Sequence, residues 1–277
     1  MYQKILNYFI SYPLKKLYFK IVSNLSNNGY VFFYNLYCFI NKKKTRIFTK
    51  KNNFVLKNSN FTWTFFHKNR GWNYCNGLDF RKKELLREYL IEDINFYDND
   101  IVIDCGANIG DFFLCFDKKI KYIGIEPSPS EFSNLQKNVP NQIILNKALW
   151  NKSNEVLNFY IASEDADSSL IEIKNYEKIE KVQTITLDDL IDELKQNIKL
   201  IKLEAEGAEP EILEGLKKNI NKVNYITIDA GFERGLKLES TLVPCINYLL
   251  SNNYKLLDYG HERVTLKFEN KNFNKQH

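Results

Sequence analysis

The chain has 277 residues, enough for one large α/β domain and an appendage, and its 44% apolar content can fill a sizeable core. Five scattered cysteines without a C-x-x-C pair argue against a disulfide framework or a Cys-rich zinc site, and fit a reducing, cytoplasmic setting. Three dispersed histidines offer no metal cluster.

The net charge of +5 hides an uneven distribution. Residues 1–78 contain thirteen Lys/Arg and no acid, and the first carboxylate is Asp79. The rest carries 26 basic and 34 acidic side chains, a net of −8. A basic segment, 1–78, therefore precedes a mildly acidic domain, 79–277. Ile5–Ile10 is apolar but lacks a small-residue cleavage site, so no signal peptide is expected. Tyr30–Ile40 is eleven residues long, too short to span a bilayer.

Residues 1–46 read as helical. Residues 47–78 read as short strands, with Phe61, Trp63 and Phe65 alternating with Thr62 and Thr64. From Asp79 onward helices and strands alternate, as in a parallel sheet of βαβ units. Phe80–Ile91 is predicted helical. Ile101–Asp104, Lys121–Glu126 and Gln142–Ala148 are predicted as the first three strands of that sheet. Between the second and third, Ser128, Pro129 and Glu131 form a capping-box sequence at a helix start. Residues 155–185 read as hairpins or an insertion. Thr186 caps a helix to about Gln196, Ile198–Ala205 is a fourth strand, Glu209–Asn219 a helix, and Asn224–Ala230 a fifth strand. A helix near 240–252 precedes a terminal hairpin around Gly260.

The first of those strands runs into Cys-Gly-Ala-Asn-Ile-Gly and then a helical pattern. Two glycines at a strand-to-helix turn permit tight backbone geometry and close approach of a ligand, at the strand ends where open α/β sheets bind ligands. Glu126 ends the next strand, twenty residues after Gly106, where a carboxylate can accept hydrogen bonds from two ribose hydroxyls. A dinucleotide fingerprint would have glycine in place of Asn108 and Asp111, so that the backbone could touch a pyrophosphate. S-adenosylmethionine (SAM) has no phosphate, and the departure favours it over NAD. Asp104 fits as well, since an acid beside this turn can engage the methionine ammonium directly or through water. The bland reading is a tight turn in an unrelated α/β protein.

These residues resemble the FkbM-type methyltransferases. Ile103–Gly110 resembles that family's first motif. Gly124-Ile-Glu-Pro-Ser128 resembles its F-E-P-x-P segment, and Leu145-Asn-Lys-Ala-Leu149 its N-x-A-L segment. Val182–Leu190, followed by Leu200–Glu209, resembles its V-x-T-x-T-L-D-D-L and L-K-I-D-x-E-G-x-E signature. The resemblance covers roughly 79–269 and not 1–78. It implies a class I Rossmann-like fold, a mostly parallel seven-stranded sheet with a terminal antiparallel hairpin. It also implies O-methylation of sugars, glycans or glycosylated natural products, with S-adenosylhomocysteine as the second product. Carried over, Asp104, Gly106, Ala107, Asn108 and Gly110 would hold the methionine end, Glu126, Pro127 and Ser128 the ribose side, and Ala148 the adenine edge. Glu204 stands where the family has Asp, one methylene shorter, and Asp229 loosely matches its late acid in the fifth strand.

A sugar hydroxyl is a poor nucleophile at neutral pH, so a positioned base should help. Candidates are Glu204, Glu206, Asp229 and His261. Each has a bland alternative: Glu206 as a helix cap, Glu204 and Asp229 as paired buried carboxylates, His261 as a solvated turn residue. Asp165 has the same ambiguity, with a solvated turn slightly preferred. Clustered acids could instead hold a divalent cation, but nothing fixes an octahedral set.

The acceptor is expected to be a sugar nucleotide or surface-glycan unit. An N-methyltransferase or RNA methyltransferase of the same fold, and a non-catalytic SAM-binding scaffold, are the competing readings; no N-P-P-Y motif follows strand four. The basic segment admits a helical cap or homo-oligomer contact, a peripheral contact with an anionic inner membrane face, or a hold on an anionic acceptor. Nucleic acid is the least favoured partner, since no recognisable binding module accompanies the charge.

Overall fold

The computed structural model describes residues 14–51, 53–58, 61–162, 168–260 and 263–273. The chain forms two compact units, Met1–Arg81 and Lys82–His277.

In the first unit, helix α1 (residues 14–23) and helix α2 (Asn27–Ile40) precede an antiparallel meander of β1 (Arg46–Lys50), β2 (Asn53–Asn58) and β3 (Phe61–Phe65). Tyr30, Tyr34 and Cys38 recur every four residues, so they share one face of α2, and all three are fully buried. That face meets aromatics from the strands and from the 3-10 turn Lys68–Tyr74: Tyr30 packs on Phe54 at 5.4 Å and Tyr34 on Trp72 at 4.8 Å between ring centres. Asn35 donates to the Ile47 carbonyl and accepts from its amide, both at 2.8 Å, tying α2 to the first strand. The alternation at 61–65 is realised, with Trp63 and Phe65 buried and Thr62 exposed.

Helix α3 (Leu78–Glu88) spans the boundary in the chain. The second unit holds β4 (Ile101–Cys105), β5 (Lys121–Ile125), α4 (Pro129–Asn138), β6 (Ile143–Leu145), β7 (Ala148–Leu149), β8 (Val156–Ala162), β9 (Tyr176–Ile185), α5 (Leu187–Leu194), β10 (Ile198–Leu203), α6 (Glu209–Glu214), β11 (Val223–Asp229), α7 (Leu242–Ser251), β12 (Tyr254–Tyr259) and β13 (Thr265–Asn270). Seven of these strands form one sheet in the order β12-β13-β11-β10-β4-β5-β6. β13 runs antiparallel to both neighbours and the remaining pairs are parallel. This is the class I methyltransferase topology that the family resemblance implied. The apolar runs of β4 and β10 are buried on both faces, as parallel strands between helices require. The order reverses between β4 and β10, so their carboxyl ends border the topological switch point where such sheets bind ligands.

Several local expectations change, among them α6, which stops at Glu214 rather than Asn219. The third strand divides into β6 and β7, and β7 leaves the large sheet to pair with β9 in a small sheet with β8. The helical pattern after Gly110 becomes a five-residue 3-10 turn, Asp111–Cys115, because only residues 111–120 separate Gly110 from β5 and Phe116 is already extended. Helix α3 begins two residues earlier than predicted and stops at Glu88, with Leu90 in the left-handed region at φ 58°. Finally, the capping box at Ser128 does not close: Ser128 makes no side-chain cap bond, and its amide, which Glu131 would need, donates to Glu126 Oε1 at 2.8 Å. The Ser128 hydroxyl donates to the Glu131 carboxylate instead.

Candidate active site

The turn after β4 is shaped by packing. Gly106 has φ +67°, and a Cβ there would lie 2.0 Å from the Glu204 carbonyl oxygen. The two strand ends at the switch point can therefore approach this closely only with glycine at 106. Gly110 also has a left-handed φ, and a Cβ there would meet Val139 at 2.4 Å and Leu135 at 2.7 Å, both at the α4 side of the turn. Its glycine is explained by helix packing. Asn108, at φ 48°, leaves its Oδ1 buried without a protein partner, while Ala107 is buried.

Glu126 is held from both sides. Its Oε2 accepts from the Asn108 amide and its Oε1 from the Ser128 amide, each at 2.8 Å. Burial, and next the neighbouring Glu131 carboxylate, push its pKa up to about 8 against those two bonds. Asn146, the asparagine of the N-x-A-L segment, donates to the carbonyls of Glu126 at 2.8 Å and Pro127 at 2.9 Å and so fixes this turn. Ala148 is buried in β7 against Phe159, Ile161 and Val182.

Asp104 is fully buried. Register pairs it with Lys202 across β4 and β10, and with Gly124 across β5, all on one face of the sheet. Asp104 Oδ1 lies 3.0 Å from Lys202 Nζ, and its Oδ2 accepts from the Tyr122 hydroxyl. Burial raises the Asp104 pKa, partly offset by Lys202. Lys202 Nζ also lies 2.9 Å from Glu204 Oε2 and donates to the carbonyls of Gly106 at 2.9 Å and Cys105 at 3.3 Å. Burial disfavours its charge, but Asp104 and Glu204 outweigh that and hold it well above the ordinary lysine range. The ammonium thus braces the glycine turn from beneath.

From Glu204 the charges continue outward. Its Oε2 accepts from the Tyr89 hydroxyl at 2.5 Å and its Oε1 from Arg263 Nη2 at 2.6 Å. Arg263 also donates to Asp229 Oδ2. Burial pushes Glu204 up, but Lys202 and Arg263 prevail and leave it well below the usual carboxylate range. Asp229 is 2% exposed, and burial raises it against the pull of Arg263. Glu206 and Glu233 hydrogen-bond each other through their side chains and are both partly exposed. Burial first, and then Asp229, raise Glu233.

Glu209, rather than Glu206, ties the turn before α6. Its Oε1 accepts from the amides of Ala205 at 2.8 Å and Gly207 at 3.3 Å, and burial pushes its pKa up to about 7. Glu206 sits at φ 49° and offers its carbonyl to the Ser169 hydroxyl at 2.8 Å. The cap reading of Glu206 therefore passes to Glu209.

The structure brings Glu204, Glu206 and Asp229 together; His261 and Asp165 lie outside the described residues. Sequence reasoning missed Arg263, Tyr89, Tyr122, Lys202, Glu209 and Glu233, and gave Asn146 no role of its own. A lysine within the apolar run Ile198–Leu203 was a usable signal, since a buried charge demands a partner. So was Glu233, four residues beyond Asp229. Among the described residues no group of three or more His, Cys, Asp or Glu is placed to hold a metal ion.

The model of the Methyltransferase FkbM domain matches residues 104–256, more than half of the chain. The hexuronic acid methyltransferase AglP of Haloferax volcanii is 25% identical over 158 residues, which are 54% of this chain and 63% of that protein. The match thus spans less than two thirds of that relative's length. Among solved structures, the FkbM methyltransferase of Methylobacillus flagellatus is 18% identical, covering 73% of this chain and 54% of that one at a TM-score of 0.46. Fibrillarin of Aeropyrum pernix with bound SAM is 10% identical, covering 68% and 74% at a TM-score of 0.41. With its β4 turn, its Glu126 carboxylate and its Leu200–Glu209 segment all inside the matched region, the chain belongs to the FkbM methyltransferase domain family.

Proposed function

We propose that this domain transfers a methyl group from SAM to a hydroxyl of a sugar, in a sugar nucleotide or surface-glycan unit. The observation that carries the cofactor reading is Glu126. Its carboxylate is fixed by two backbone amides at the switch point, with lone pairs left for a vicinal diol. The buried, unpartnered Asn108 Oδ1 beside it fits a polar ligand group. The cofactor would supply an electrophilic methyl on sulfur.

The protein's own contribution is positional and electrostatic. Lys202 holds the Gly106 carbonyl and keeps the turn in place, and Asp104 acts on the ligand through Lys202 rather than by direct contact. Proximity of the two reactants then supplies much of the acceleration. Glu204 and Asp229 are committed to Arg263 and serve as anchors. The Glu206–Glu233 pair is partly exposed and holds a raised carboxyl, so it is our choice of base for the acceptor hydroxyl. The sugar assignment is supported by the family and by the hexuronic acid activity in the relative's name.

Isothermal titration with SAM and S-adenosylhomocysteine tests the first half; no binding of either refutes it. Radiolabelled methyl transfer into sugar nucleotides, glycan, protein and RNA tests the second, and label confined to protein or RNA overturns the sugar assignment.

A further inference from the structure

We infer that the helical hairpin of the first unit docks on an anionic lipid surface. The argument starts from α2, which carries no charged residue over its fourteen positions. Tyr30, Tyr34 and Cys38 occupy its inner face. On its outer face Phe32, Leu36, Phe39 and Ile40 follow at spacings of four, three and one, one continuous apolar stripe. Phe39 is 72% exposed and Ile40 67%. A helix that is apolar on every side is ordinarily buried on every side.

Helix α1 extends the patch. The Tyr18 hydroxyl donates to the Phe33 carbonyl at 2.9 Å, and the Tyr18 and Tyr37 rings stack at 5.7 Å. The hairpin so formed leaves Leu17 and Ile21 of α1 exposed at 53% and 56%. Contiguous exposed apolar surface of this kind marks an interaction site.

Charge identifies the occupant. Lys16 and Lys20 on α1, and Lys42 and Lys44 just beyond α2, are exposed. No Asp or Glu occurs before Asp79 to neutralise them. A second copy of this chain seated on the same face would bring these like-charged lysines together, which costs rather than stabilises. Nucleic acid would neutralise the lysines and can stack on Phe32 and Phe39, but it leaves the aliphatic Leu17, Ile21, Leu36 and Ile40 without a partner. An anionic bilayer surface satisfies both: the apolar face enters the acyl boundary while the lysines lie among headgroups. Among the described residues no helix is long and apolar enough to cross a membrane, and the contact proposed is a peripheral one.

Vesicle flotation with the purified full chain tests this. Vesicles of phosphatidylcholine alone are compared with vesicles that also contain phosphatidylglycerol. The chain is expected to float with the anionic vesicles, weakly with the neutral ones, and less as salt rises. Each lysine near such a surface is worth about fivefold, so Lys42→Ala with Lys44→Ala should weaken binding by about twentyfold to thirtyfold. Phe39→Ser with Ile40→Ser, at exposed positions, should weaken it at least about tenfold while thermal unfolding stays unchanged. Failure to float, equal flotation with both vesicle types, or indifference to the Phe39 and Ile40 changes overturns the inference. So does a dimer in light scattering that the same changes dissociate without any vesicle binding, which would make a second copy the occupant. RNA binding without flotation would overturn it likewise.

Discussion

Replacing Lys202 with Met removes the one cation packed between Asp104 and Glu204. Lys202 is 2% exposed and Asp104 fully buried, so neither water nor another side chain can take over the 3.0 Å pair. Glu204 keeps Tyr89 and Arg263, whereas Asp104 keeps only Tyr122. Breaking a buried ion pair from one side costs about 3–5 kcal/mol, a large share of the roughly 5–15 kcal/mol that holds a domain folded. The sign with pH follows from Asp104. Its folded pKa is already raised by burial, and loss of Lys202 raises it further. A raised carboxyl contributes stability that is present below its unfolded value and is lost as pH rises through its folded value. The deficit of Lys202→Met should therefore grow from mildly acid to mildly alkaline solution. Urea unfolding followed by circular dichroism measures it. The double change Lys202→Met with Asp104→Asn removes both charges and should recover more than about 1 kcal/mol of the loss. A deficit under about 1 kcal/mol, or no recovery in the double variant, refutes the account.

Glu126→Gln should weaken SAM binding by about tenfold to a hundredfold, because one of the two carboxyl oxygens becomes an NH2 group, which a backbone amide then faces; calorimetry reads this, and an unchanged Kd counts against the ribose role. Glu209→Gln keeps an acceptor for the Ala205 and Gly207 amides but no longer titrates. The raised Glu209 costs the wild type stability as pH climbs from its unfolded range near 4.5 through about 7, so the variant should show a flatter decline across that window in urea titrations. A decline as steep as that of the wild type would remove Glu209 as its source. Glu233→Gln should lower kcat of methyl transfer by about a hundredfold or more while the Kd for SAM stays put. A normal kcat would take Glu233 out of the reaction.

Much of this domain was legible in the chain itself. The apolar runs at 101–104 and 121–125 could only be buried strands, and the Gly106–Gly110 turn followed from the residues around it. Thr186 caps α5 as its sequence requires, accepting from the Asp189 amide at 3.1 Å. What escaped was non-local. Lys202 and Asp104 meet through the parallel register of β4 and β10, almost a hundred residues apart in the chain, and no local pattern specifies that pairing. The box at Ser128 failed for the same reason: a carboxylate two residues upstream competes for its amide, and its position depends on the strand that Asn146 also clamps. Glu206 and Glu209 lie three residues apart, and only the left-handed backbone at 206 and 207 decides which of them turns inward.

Glu204 shows what one methylene does in this network. The family resemblance places a shorter acid there. In this chain the longer side chain reaches Lys202 and Tyr89 with Oε2 and Arg263 with Oε1. Lys202 is two residues away, near the end of β10, so it stays within reach of a shorter side chain. Arg263 enters from the β13 side and does not. Glu204→Asp withdraws the carboxylate by about 1.5 Å, one carbon–carbon bond, and should release Arg263 while sparing Lys202. The released guanidinium keeps Asp229 but loses its fixed position beside Glu233. Because Arg263 is partly exposed, folding stability should fall by less than about 1 kcal/mol. On the proposed reading, with Glu233 as the base, methyl transfer should suffer more than SAM affinity. Equal loss in both, or none in either, would mean that the Arg263 bridge does not organise the acceptor site.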